Sequence, residues 1–153
     1  MIVVYSPTYV VDIGLHVFPT RKYQLVHDRL LGDGVIRPGD VVEAQPAGWS
    51  DLAVVHTSEY LTKLRSGTMS VEDLAQLELP WSQEIVEGFR RMVGGTITAA
   101  RIACGLDELS ASSASSRVCH IGGGLHHAFP NHGEGFCPFN DVAIAVRVLQ
   151  RAG

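Results

Sequence analysis

RVCHIGGGLHHAFPNHGEGFCPFND, residues Arg117 to Asp141, is the stretch that decides how this chain is read. A short apolar run feeds a triple glycine, Gly122-Gly123-Gly124. Two adjacent histidines follow, His126 and His127, then a loop carrying Gly133, Gly135, Phe136 and Cys137. Asn140 and Asp141 open an apolar helical pattern. Glycines, imidazoles and an aromatic therefore gather at the end of an expected strand, where open α/β sheets bind their ligands.

The glycines invite a nucleotide-binding reading and do not satisfy it. Gly122 and Gly124 fit the first two positions of G-x-G-x-x-G, but His127 stands at the third, and no Gly-Lys-Ser/Thr ending is present. A run that lets backbone pack closely behind the histidines fits better. Adjacent side chains diverge on a strand or a helix, so His126 and His127 are poor joint ligands for one metal. Two such imidazoles can flank one reaction centre, one moving a proton and the other acting electrostatically. Equally, they can be loop histidines, one of them satisfied by the core. Phe136 can line a pocket or plug the core. Cys137 can act as a nucleophile beside a histidine, although nothing local activates it. His16, His27, His56, His120 and His132 show no metal-ligand spacing and read as surface or core histidines.

Upstream, Ile2 to Tyr5 is apolar, β-branched and bounded by Ser6-Pro7, which predicts a buried strand. Helices are expected over Thr20 to Leu31 with Thr20 as N-cap, from Thr57 or Ser58 through Leu64, over Ser70 to Leu77, and over Ser82 to Cys104. Val41 to Ala44 reads as a short strand and Leu52 to Val55 as a short apolar run. Gly94-Gly95 interrupts the longest helix at about 1 kcal/mol each relative to alanine, so a kink or a close crossing with another backbone is expected there. Ser110 to Ser116 reads as a small polar linker and Arg117 to Ile121 as a core strand. Val142 to Leu149 is apolar nearly all round, which predicts a largely buried helix. A strand, a loop and a helix make most of a βαβ unit, and the returning parallel strand that would close it is absent from the sequence.

Composition bounds the function class. The 153 residues are 46% apolar and 18% charged, enough for one domain with a real core. A net charge of −4 without a basic cluster argues against nucleic-acid binding. No run approaches the roughly 18 apolar residues of a membrane span, and no signal peptide is evident. Three cysteines with no CxxC spacing fit a reducing, cytoplasmic setting.

IGGGLHHAFPNHGEGFCPFNDVAIAV resembles the signature of the zinc-dependent histone deacetylase and acetoin-utilisation superfamily. HVFPTRKYQLVHDRL resembles its N-terminal His-Pro segment and first helix, and DLAVVHTSEYLTKL its Val-His-x-x-Tyr-Leu segment. With Gly94-Gly95-Thr96, the likeness is closest to class IV histone deacetylases and bacterial relatives. The resemblance implies the arginase/deacetylase α/β fold, a parallel sheet with helices on both faces, of which residues 1–153 are the N-terminal portion of a single domain. It implies hydrolysis of an acyl-amide, with acylated lysine or another acyl-amine as substrate and zinc as cofactor. His126 and His127 match the tandem histidines, the second as general base and acid, the first as electrostatic helper. Gly135 and Phe136 match positions lining the acyl channel, and Arg21 a basic residue near the acetate exit. The family's metal ligands, an Asp-x-His and a later Asp, and its oxyanion-stabilising Tyr cannot be placed in this sequence. No metal-ligand residue is therefore assigned, and the chain alone is expected to be inactive. Two further readings stand beside this one: a non-catalytic fragment or subunit that associates with a complementary chain, an open sheet edge also favouring self-association, and a cysteine hydrolase using Cys137.

Overall fold

The computed structural model describes residues 1–107 and 117–152; the expected linker Ser110 to Ser116 lies outside them. Among the described residues three short strands, β1 (Ile2–Tyr5), β2 (Val41–Glu43) and β3 (Val118–His120), form one parallel sheet in the order β2-β1-β3. Val3 pairs with Val41 on one side and Cys119 on the other. Val3 and Val4 are fully buried, as a central strand of β-branched residues requires. β3 lies at the edge with Cys119 exposed, so the expected core strand is a sheet edge among the described residues.

Among the described residues six α-helices flank the sheet: α1 (Arg21–Gly32), α2 (Trp49–Leu52), α3 (Ser58–Ser66), α4 (Val71–Leu77), α5 (Gln83–Ala103) and α6 (Asp141–Ala152). Their starts follow local chemistry. Ser70 Oγ accepts from Asp73 N at 3.1 Å, Ser82 Oγ from Ile85 N at 3.1 Å and Asn140 Oδ1 from Ala143 N at 3.0 Å. Thr20 is the exception. It precedes α1 without capping it; its buried hydroxyl instead donates to Val11 O at 2.7 Å and accepts from Val11 N at 3.1 Å. The hydroxyl fastens the 11–20 loop, a partner nine residues away that no capping pattern reveals. The apolar run at Leu52 becomes the end of α2, with Leu52 fully buried.

α5 packs against β1, β3 and α6 and carries Phe89, Met92 and Val93 into the core with no exposed surface. The glycine pair in it marks a close crossing. A Cβ on Gly94 would overlap Gln45 O and lie 2.9 Å from Ala47 N. Gly94→Ala therefore reverses the usual helix-propensity sign: instead of gaining about 1 kcal/mol, the protein is expected to lose about 1–3 kcal/mol in denaturant unfolding through backbone displacement. A gain would show that the 45–47 segment yields freely.

α6 departs from expectation. Ile144 and Ala145 are buried, but Val142 and Val146 are 46% and 52% exposed. Only one face of this apolar helix is covered by the described residues. Among those residues no helix is long and apolar enough to cross a membrane.

Candidate active site

After β3 the chain turns sharply. Gly124 has φ +92°, a conformation that side-chain-bearing residues rarely adopt. The turn delivers His126 and His127 to a cavity of about 400 Å³ lined also by Phe18, Lys22, Tyr23, Gly135, Phe136 and Cys137. The imidazole rings do not diverge: their centroids lie 4.3 Å apart at 31°. The segment is neither strand nor helix, so the alternation that separates neighbouring side chains does not apply. His126 Nδ1 lies 2.9 Å from Gly124 O. A carbonyl only accepts, so Nδ1 is the donor in this contact. Gly135 seats the second ring: a Cβ there would come within 3.1 Å of His127 Cγ.

The turn is held from beneath by Asp141, the first residue of α6, which is fully buried. Its carboxylate accepts from Leu125 N at 2.7 Å, Gly124 N at 2.9 Å and Thr96 Oγ1 at 2.5 Å. Asn140 completes the hold, its Nδ2 donating to His126 O and Ala128 O, each at 3.1 Å. From Thr96 the contacts continue to His120 Nδ1 at 3.0 Å, and from His120 Nε2 to Tyr9 Oη at 2.8 Å. Burial pushes His120 down to about 4, against the opposing pull of Asp141, and raises the Tyr9 phenol.

The opposite wall is clamped separately. Buried His56 accepts from Asn140 N at 3.1 Å through Nε2 and donates from Nδ1 to Phe129 O at 3.0 Å. That pattern requires the neutral ring, and burial lowers its pKa in the same direction. Tyr60 Oη donates to Pro138 O at 2.9 Å. Phe136 N donates to Leu77 O at 3.0 Å while Phe136 holds φ +64°, a strained value for a residue with a side chain. Its ring stands 5.7 Å from Phe18 and 4.8 Å from His16, so Phe136 is a wall rather than a core plug.

Lys22 is the basic residue at this cavity, its ammonium 3.3 Å from the Phe18 ring centroid and its pKa lowered by burial. Arg21 is exposed and lines a separate hollow with Val10, Asp12 and Pro19. Cys137 is buried and its thiol is pushed up by that burial, although the backbone N–H groups of His127 and His126 oppose the shift. A nucleophilic cysteine needs the reverse. A larger cleft of about 470 Å³ between Pro7–Val11 and α5 is lined by Glu84, Glu87 and Arg91 and holds no histidine.

Among the described residues, no group of three or more His, Cys, Asp or Glu side chains could hold a metal ion. The donor set present here does not fit zinc. His120, His56, Asp141 and Lys22 were missed as site residues in the sequence. Asn140-Asp141 immediately after the loop was the available signal, and it reads equally well as an ordinary helix start.

The profile of the histone deacetylase domain matches residues 16–153. An uncharacterized protein of Picosynechococcus sp. is 41% identical over 152 residues, covering 99% of this chain and 48% of that protein. The acetoin utilization protein AcuC of Bacillus subtilis is 29% identical over 158 residues, covering 97% and 39% respectively. The solved HDAC homolog from Aquifex aeolicus superposes with a TM-score of 0.72 at 20% identity, over 99% of this chain and 41% of that one. The chain thus spans about half or less of the length of the proteins it matches. It shares their α/β fold, as the parallel sheet implies.

Proposed function

The chain belongs to the histone deacetylase domain family, and on that premise we propose that it supplies the proton-transfer groups and acyl-binding wall of a hydrolase acting on acylated lysine or related acyl-amines. One observation carries the reading: both imidazoles of the tandem pair reach the cavity that Phe18 and Phe136 wall. In this reading His127 takes a proton from the attacking water and returns it to the leaving amine, while His126 acts electrostatically beside it. Gly135 leaves room for the His127 ring, and Phe136 flanks the acyl chain. Lys22, rather than Arg21, is positioned to meet a carboxylate product inside the cavity; Arg21 lies beyond it.

Residues 1–153 form the first part of a single domain in this proposal. The family's zinc does not fit the side chains described here, so its ligands come from protein outside these residues. The isolated 153 residues are expected to bind no stoichiometric tight zinc and to turn over no acetyl-lysine reporter. Tight zinc together with turnover by this chain alone would overturn the proposal. In the longer protein, His127→Ala is expected to lower kcat by about 10²–10⁴-fold.

A second reading is favoured by the outer edge of β3, which pairs with no further strand among the described residues, and by the exposed Val142 and Val146: the chain associates with a complementary segment or with itself. A stable monodisperse monomer in size measurements would count against it.

A further inference from the structure

We infer that Asp141 is a positioning residue for the tandem histidines and that it is set by a part-buried hydrogen-bond chain through Thr96 and His120 to Tyr9. The inference rests on the proton-transfer reading of His126 and His127.

The direction of every bond in the chain follows from chemistry. The Asp141 carboxylate only accepts, so Thr96 donates its hydroxyl proton to Oδ2. That hydroxyl then accepts from His120, which places the imidazole proton on Nδ1. His120 Nε2 is left as an acceptor, and the Tyr9 hydroxyl donates to it. Each group has one role and each role is filled with a neutral imidazole. The four residues come from the 3-10 turn after β1, from α5, from β3 and from α6, so the chain ties four elements to one carboxylate.

The other end of that carboxylate holds the backbone directly before His126. Leu125 N donates to Oδ1, and Asp141 N donates back to Leu125 O at 3.3 Å. Gly124 N donates to Oδ2. The turn also rests on the chain itself: a Cβ on Gly123 would stand 2.7 Å from His120 Nδ1, 2.9 Å from Thr96 Oγ1 and 3.1 Å from Asp141 Oδ2. Asparagine cannot replace Asp141 in this place, because three donors converge on it and an amide would turn an NH₂ toward at least one of them.

The test uses the intact protein that carries this chain, with Thr96→Val as the principal variant. It nearly conserves shape and removes the hydroxyl that both accepts from His120 and donates to Asp141. Imidazole ¹H–¹⁵N spectra of the parent protein are expected to show His120 as the neutral Nδ1–H tautomer. Thr96→Val is expected to move the imidazole signals of His126 and His127, and to lower kcat on an acyl-lysine reporter roughly tenfold to a hundredfold with little change in KM. Thr96→Ser, which keeps the hydroxyl, is expected to restore both. Changes confined to His120, with His126 and His127 as in the parent, overturn the inference. If Thr96→Val does not fold, Tyr9→Phe removes only the last donor; a smaller displacement of the same signals supports the chain, and unchanged signals overturn it. Should the intact protein hydrolyse no acyl-amide while Thr96→Val still displaces His126 and His127, the proposed reaction falls and the positioning role stands.

Discussion

Asp141→Ala is expected to destabilise the protein by about 3–5 kcal/mol, the largest effect of any single substitution considered. The carboxylate is fully buried and accepts from two backbone N–H groups and one hydroxyl. Alanine leaves all three donors without an acceptor, and each buried orphan costs about 1–3 kcal/mol. Entry of water into the vacated volume recovers part of that sum, since the site is polar. The midpoint of urea unfolding, with the slope unchanged, reads the loss directly. A loss below about 1 kcal/mol would mean that the Gly124 and Leu125 amides have other partners available and that the carboxylate is dispensable for the turn.

Acid is expected to act through the same network. His120 titrates near 4 in the fold against an ordinary 6.5, because burial penalises its charged form. The unfolded chain therefore binds a proton at higher pH than the native one. Stability is fully present above about pH 6.5 and is lost progressively as pH falls toward 4, by about 3 kcal/mol from this group. His56 shifts in the same direction and adds to the loss. Asp73 contributes separately and lower: backbone and side-chain bonds to Ser70 and the ammonium of Lys63 hold it below the usual carboxylate range, so its part is lost only at more acid pH. Denaturant unfolding between about pH 7 and pH 4.5 measures the slope, and His120→Asn is expected to flatten it. An unfolding midpoint that stays constant across that window would show that His120 takes up its proton over the same pH range in the folded and the unfolded chain. The Tyr9–His120–Thr96 bonding pattern would then be wrong.

Most of the elements were legible in the chain, for physical reasons that differ. The starts of α4, α5 and α6 follow from Ser70, Ser82 and Asn140, whose partners lie three residues ahead. β1 follows from a β-branched run, and the close approach at Gly94 from a glycine pair inside an otherwise good helix. The burial of α6 was not legible. An apolar helix can be covered all round or on one face, and which of the two holds depends on neighbours that periodicity does not name.

The sequence by itself determined the family, through the glycines, the tandem histidines and Gly135-Phe136-Cys137, because those residues lie within one short continuous stretch. It also located the cavity's two histidines and its aromatic wall. Only the tertiary structure decided that His126 and His127 converge, that Lys22 and not its neighbour Arg21 enters the cavity, and that Thr20 fastens a loop instead of capping a helix. It alone joined Tyr9 to His120 across 111 positions and Thr96 to Asp141 across 45. The reason is the range of the interactions. Caps, turns and periodicity are written between residues a few places apart, whereas a buried polar group takes whatever partner the packed elements bring to it.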